Sequence, residues 1–327
     1  MQQPKFVHLR VHTEYSISDS IVRIDALVAA AAADDQPAVA ITDLGNLFGW
    51  IKFYKAARGK GLKPLCGVDV WLTNDADRDR PHRMLLLARN ADGYLRLCDL
   101  LSRAWLGNEH RGRGEVRPEW FDEGRNDGLI LLSGAEAGDV GQALLAGQRD
   151  AAEALAKAWS ARFPGAYYLE VQRTGTPESE SQTRGAARLA QQLGLPVVAT
   201  HPVQFLARAE FRAHEARVCI AEGEILANPR RVRRFTEEQY FLSQAEMAER
   251  FADLPSALAN SVEIARRCSV AMTLGKPKLP LFPTPEGMTL DDFLRDEARK
   301  GLELRMAKLF PDPEVRASKQ DQYANRL

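Results

Sequence analysis

Seven side chains of metal-ligating type lie near the ends of short apolar runs: His8, His12, Asp19, Asp43, Asp69, His82 and His201. Clusters of divalent ions draw N and O ligands from several elements at once, so this set fits a metal-dependent hydrolase whose ions activate water. Each residue also has a plainer reading. An isolated His near a strand end is more often structural than a ligand, and an Asp that closes a strand, like Asp43, is commonly a loop or cap residue. Arg10 favours the plainer reading, because it lies between His8 and His12 on the same strand face. Arginine has only donors and stays protonated, so it cannot ligate a cation. It would also repel one: two unit charges 4 Å apart interact by about 4 kcal/mol at an effective dielectric of 20, and a divalent ion roughly doubles that. Buried carboxylates need a positive partner, so Arg10 is expected to neutralise Asp19, Asp43 or Asp69 in place of a metal.

Positioning these residues requires strands. Seven strand-length runs, Phe6–His12, Ala38–Thr42, Gly67–Leu72, Arg83–Ala88, Gly128–Ser133, Ala166–Val171 and Pro196–Thr200, are mostly rich in Val, Ile, Leu or aromatics. Between them, helical patterns cover Arg23–Ala33, Asn46–Gly59, Ala91–Trp105, Asp150–Phe163 and Glu178–Leu193. Alternation of this kind predicts a parallel sheet, either a closed barrel or an open doubly wound one. The first run decides for a barrel. Val7, Leu9 and Val11 form one face, suited to a helix layer, while His8, Arg10 and His12 form a polar face that would look inward and towards a barrel mouth. Asp43 and Thr200 also fall at strand ends.

After about Gln204 only helical patterns follow: Glu210–Glu222, Ser243–Phe251 and Leu254–Cys268. Residues 1–278 are therefore expected to form the barrel domain with its C-terminal helices. Residues 279–287 form a Pro-rich connector, and 288–327 begin another region, which the chain is expected to leave incomplete. Thr289 opens a new helix with Asp292 as its capping partner, and Leu290, Phe293, Leu294, Ala298, Leu302, Met306 and Leu309 give it an apolar stripe.

Composition narrows the functional classes. Lys plus Arg and Asp plus Glu balance at 44 each, which argues against a surface gripping phosphates over a wide area. The one dense basic run, Arg230–Arg234, lacks the interleaved aromatics of a single-strand platform and reads first as a solvated loop. Cys66, Cys98, Cys219 and Cys268 are scattered without a CxxC pair, as expected of reduced thiols in a cytoplasmic protein. No run of eighteen apolar residues predicts a membrane span.

Five stretches then carry a family resemblance: Phe6–Ser16 (FVHLRVHTEYS), Ala38–Asn46 (AVAITDLGN), Gly61–Val70 (GLKPLCGVDV), Gly128–Val140 (GLILLSGAEAGDV) and Leu195–Phe205 (LPVVATHPVQF). In this order they resemble the N-terminal polymerase-and-histidinol-phosphatase (PHP) domain of bacterial DNA polymerase III alpha subunits. The helix from Leu254 and the connector LPLFPTP extend the resemblance to the end. It implies a distorted seven-stranded (β/α) barrel followed by a helical segment that begins the polymerase body.

Active members of the family hold a metal cluster, commonly zinc or manganese, and hydrolyse phosphoesters. Their opening His-x-His falls on Arg10 and His12, so the first ligand is lost. The next Asp matches Asp19, the following Asp-His matches Asp43 and Leu44, and the family Glu is shortened to Asp69. A later His falls on Arg83, with His82 one position out of register, and a Cys or His falls on Ala135. The closing Asp-x-His falls on Pro202 and Gln204, with His201 beside them. Only His12, Asp19 and Asp69 survive as ligands, so no metal is expected, with zinc or manganese implied only if His82 and His201 complete a partial site.

Two functions follow from the resemblance. The first is an inactive scaffold that packs against the rest of the alpha subunit and docks the separate proofreading exonuclease subunit. The second is a metal-dependent phosphoesterase or built-in 3′-to-5′ proofreading nuclease. DNA synthesis itself, with its magnesium, would belong to a palm beyond this chain, and DNA would be engaged mainly by the full-length protein.

Overall fold

The computed structural model of the chain describes residues 6–277 and 279–327. Residues 1–5 and Lys278, where the sequence puts the end of the barrel domain, lie outside the described residues. Residue contacts divide the chain after Ala271, and Met272–Leu327 form a second unit.

In the first unit, α1 (Ile24–Ala33), β1 (Ala38–Ile41), α2 (Trp50–Gly59), β2 (Lys63–Leu72), β3 (His82–Ala88) and α3 (Ala91–Gly107) come in chain order. Then follow β4 (Glu109–His110), β5 (Arg113–Val116), β6 (Leu129–Leu132), α4 (Asp139–Leu145), α5 (Arg149–Arg162), β7 (Tyr167–Val171), α6 (Pro177–Leu193) and β8 (Val197–Ala199). Helices α7 (Phe211–Glu222), α8 (Gln244–Arg250) and α9 (Pro255–Arg267) complete it. Local chemistry sets the boundaries. Thr176 accepts the Ser179 N–H ahead of Pro177 at the start of α6, and Gly194 closes that helix in the left-handed region. The β4–β5 hairpin, α4 and the last helix of the second unit were not foreseen from the sequence, the strands because they are only two and four residues long.

The sheet is mixed. β1 and β2 are parallel, β2–β3 and β3–β6 antiparallel, and β6–β7 and β7–β8 parallel. The all-parallel expectation fails at β3. Residues 73–81 contain no helix to carry the chain across the sheet, so β2 and β3 form a hairpin. The reversal brings the start of β3 back to the end of β2, with Arg83 opposite Trp71 and diagonal to Asp69.

The ladder of named strands stays open between β1 and β8, and the stretch 6–12 bridges the gap. Ala40 N–H donates to His8 O at 2.9 Å and Thr42 N–H to Val11 O at 2.9 Å on one side. On the other, His12 N–H donates to Val203 O at 3.1 Å and Val203 N–H to Arg10 O at 3.2 Å. This stretch matches the first expected run but is not a regular strand, because side chains take several of its N–H groups. Val7 N–H donates to Ser261 Oγ, His8 N–H to Gln36 Oε1 and Val11 N–H to Thr42 Oγ1. Seven staves thus surround a common interior.

In the second unit, Thr289 caps α10 (Leu290–Leu309) by accepting the Asp292 N–H, and Phe282 and Phe293 rings lie 5.7 Å apart. Phe310 and Tyr323 join α10 to α11 (Pro313–Ala324), while Leu290, Leu294, Leu304 and Leu309 stay exposed.

One glycine is dictated by the interior. Gly134 has φ +81°, and a Cβ there would fall 2.1 Å from the carbonyl oxygen of Arg83. Its N–H donates to Glu170 Oε2 at 3.0 Å. Gly134→Ala is expected to lower the unfolding free energy by about 2–4 kcal/mol, from left-handed backbone strain plus the clash, measured by urea denaturation.

Candidate functional site

Of the polar residues on stretch 6–12, Arg10 and His12 enter the interior together, and Arg10 is the centre of the cluster there, only 5% exposed. Its Nε and Nη2 donate to the two carboxylate oxygens of Glu170 on β7, at 2.8 and 2.9 Å. Its Nη1 donates to Asp69 Oδ2 on β2. Arg83 reaches the same carboxylate from β3, Nε to Oδ1 at 3.1 Å and Nη2 to Oδ2 at 2.6 Å, with its guanidinium 4.4 Å over the Trp71 ring. His12 bridges Asp19 and Asp69: Nδ1 is 3.0 Å from both oxygens of Asp19, and Nε2 is 3.1 Å from Asp69 Oδ2.

Electrostatics fix the charge states. Burial alone would lower the His12 pKa, but Asp19 and Asp69 outweigh it and raise it to about 9, so the ring is an imidazolium donating from both nitrogens. Burial would raise Asp69, yet Arg10, Arg83 and His12 hold it well below the usual carboxylate range. Asp19 is likewise lowered, burial being overcome chiefly by His12. Three cations, Arg10, Arg83 and His12, therefore face three carboxylates, Asp19, Asp69 and Glu170. The cluster is neutral as a whole.

The other sequence candidates divide. Asp43 does not meet Arg10. It accepts the Thr13 N–H at 2.6 Å and the hydroxyls of Thr13 and Ser16, pinning the turn at 13–16. Leu44 donates its N–H to Ser16 Oγ, and Ala135 lies in the helical turn after Gly134. Pro202 and Gln204 are buried beside stretch 6–12, with the Gln204 amide 3.5 Å from His12 Nδ1. His8 and His201 do not join the cluster. Burial pushes His8 down to about 4 and His201 well below its ordinary value, and each neutral ring gives its Nε2–H to a backbone carbonyl, of Leu242 and Tyr240. His82 lies on the opposite face of β3, near Asp139.

Glu170 was missed from the sequence. It accepts five donors: two from Arg10 and one each from Gly134, Gln172 and Thr200. A signal was present, since one carboxylate in the apolar run Tyr167–Val171 must find a cation once that strand is buried. In the basic run, Arg231 pairs with Glu215 and Arg234 with Glu222, while Arg230 and Arg233 are exposed.

A metal cluster does not fit these side chains. Asp69 is already held by Arg10, Arg83 and His12, and Asp19 by His12. Among the described residues, no three His, Cys, Asp or Glu side chains are grouped so as to hold an ion.

The PHP domain model matches residues 8–174, just over half of the chain. The chain belongs to the PHP domain family. It also matches DNA polymerase III alpha subunits along its length. Identity is 51% over all of the chain to that of Neisseria meningitidis serogroup A, 46% over 98% to that of Pseudomonas aeruginosa and 45% over all of it to that of Escherichia coli K12. These matches cover 29%, 28% and 28% of the relatives, so this PHP chain spans less than a third of their length. Among solved structures, an amidohydrolase from Chromobacterium violaceum aligns over 64% of the chain and 96% of its own, at 15% identity and a TM-score of 0.42.

Two predictions follow from the cluster. Arg10→Met leaves Asp69 and Glu170 buried without their shared cation and should cost about 3–5 kcal/mol in urea unfolding, with Arg10→Lys intermediate because it keeps the charge but not the fork. Stability should also peak near pH 6.5. Above it, the contribution of His12, whose folded pKa is raised to about 9, is lost as pH climbs from 6.5 to 9. Below it, the contribution of His8, lowered to about 4, is lost as pH falls from 6.5 to 4. Each limb should amount to something on the order of 3 kcal/mol, and His12→Gln should flatten the alkaline one.

Proposed function

We propose that this PHP chain is a catalytically silent scaffold within a cytoplasmic replicative DNA polymerase alpha subunit, packing against the rest of that subunit and docking its proofreading exonuclease. The observation that carries the reading is the neutral interior cluster. Hydrolysis by the family chemistry requires ions to activate water, and here Arg10 and Arg83 occupy the carboxylate that would ligate them. The cluster also ties β2, β3 and β7 to stretch 6–12, which is the work of a scaffold. The likeness to polymerase alpha subunits supplies the context. A barrel that holds an exonuclease next to a polymerase raises the effective concentration of editing activity at the primer end. Among the described residues no helix is long and apolar enough to cross a membrane, which accords with this setting.

Two measurements test the reading. Chain stripped of metal, incubated with zinc and manganese and desalted should retain only substoichiometric metal and show no phosphatase or 3′-to-5′ nuclease activity. Mixed with the exonuclease subunit, it should co-elute as a complex. Stoichiometric metal with hydrolysis would overturn the silent site, and separate elution would overturn the docking role.

A further inference from the structure

On the face of β3 away from the charged cluster, His82 and Leu72 border a solvent-open cavity of about 430 Å³, closed on its other side by α4, Ala151 and Leu155. That volume falls within the roughly 300–1,000 Å³ of small-ligand sites. Asp139, the first residue of α4, lines it and is 8% exposed. Its Oδ2 accepts the Trp159 Nε1–H at 2.7 Å and its Oδ1 the Val140 N–H at 2.7 Å, which fixes the carboxylate at the wall. Neither donor is a cation, and among the described residues no lysine or arginine forms an ion pair with Asp139.

Asp43 is likewise buried without an ion pair among the described residues, but it is held at the 13–16 turn by donors from Thr13 and Ser16. Asp69, Glu170 and Glu115 each hold at least one guanidinium, and even the exposed Asp75 at the cavity rim pairs with Arg117. His82 and Tyr167 are the titratable neighbours of Asp139, and neither supplies a standing positive charge: burial raises the Tyr167 pKa and lowers that of His82 against the pull of Asp139. The His82 ring nitrogens have no hydrogen-bond partner among the described residues. A buried carboxylate without a cation is costly, and here it borders space in which a cation could be placed. Leu72, Ala143 and Leu155 supply apolar wall for a hydrocarbon stem, and the free His82 ring supplies a polar atom beside the charge.

We propose that this cavity binds an alkyl-guanidinium or alkyl-ammonium group, its charge on Asp139 and its stem against Leu72, Ala143 and Leu155. The group is carried either by a free diamine-like molecule or by an arginine or lysine side chain of a protein. Both present the same chemistry to the site.

The test titrates the full chain calorimetrically with agmatine, with N-acetyl-arginine-N-methylamide and with the neutral N-acetyl-citrulline-N-methylamide, following Trp159 fluorescence in parallel. At least one cationic probe should bind, with the citrulline analogue at least about tenfold weaker, the factor expected for losing a charge-assisted hydrogen bond. Binding of agmatine alone assigns the free molecule, and binding of the arginine amide assigns a protein side chain. Asp139→Asn keeps an acceptor for Trp159 and should weaken binding by a similar factor. Ala151→Arg, at an exposed helix position, should block it from within while the protein stays folded by circular dichroism. No binding by either cation, equal binding of citrulline, or unchanged binding in both variants overturns the proposal.

Discussion

One buried guanidinium holds the interior of this protein together. Arg10 stands on a stretch with no regular ladder of its own and reaches Asp69 on β2 in one direction and Glu170 on β7 in the other. A single planar fork with five donors can join two carboxylates on separate strands, which no lysine could do with the same geometry. The rest of the cluster follows from that bond. Asp69, fixed by Arg10, also accepts from Arg83 and His12, and His12 in turn holds Asp19. The desolvation cost of so many charges is offset only because they match in number and saturate one another's hydrogen bonds.

Much of this was legible in the residues. The alternation along stretch 6–12 placed Arg10 and His12 together in the interior, though not His8, and the inability of arginine to ligate a cation marked Arg10 as a counter-charge. Six of the eight strands among the described residues were legible as well, as apolar runs of strand length, while β4 and β5 were not. Partner choice was not. Arg10 had three carboxylates open to it by sequence, and Asp43 was removed by the local chemistry of Thr13 and Ser16, a contact no periodicity reveals. Glu170 escaped because strand burial, which makes its charge informative, is a tertiary property.

The direction of β3 was misread for a related reason. Regular alternation of strands and helices suggests crossovers throughout, and only the helix-poor segment 73–81 signals a hairpin. That reversal has a chemical consequence: it delivers Arg83 to the same end of the sheet as Asp69, where it becomes the second guanidinium on that carboxylate. His82, one residue earlier, is turned to the far side and into a different environment altogether. A single step of register thus separates a member of the central cluster from the wall of a separate cavity.

The claim on which this account rests is that fixed cations fill the place of bound ions in the barrel interior. A crystal structure of the chain grown in excess zinc and manganese, with anomalous data at both absorption edges, addresses it most directly. The account predicts the Arg10 guanidinium between Asp69 and Glu170, with no anomalous peak in contact with His12, Asp19 or Asp69. A multinuclear centre bound by those three side chains, with Arg10 displaced, would contradict it.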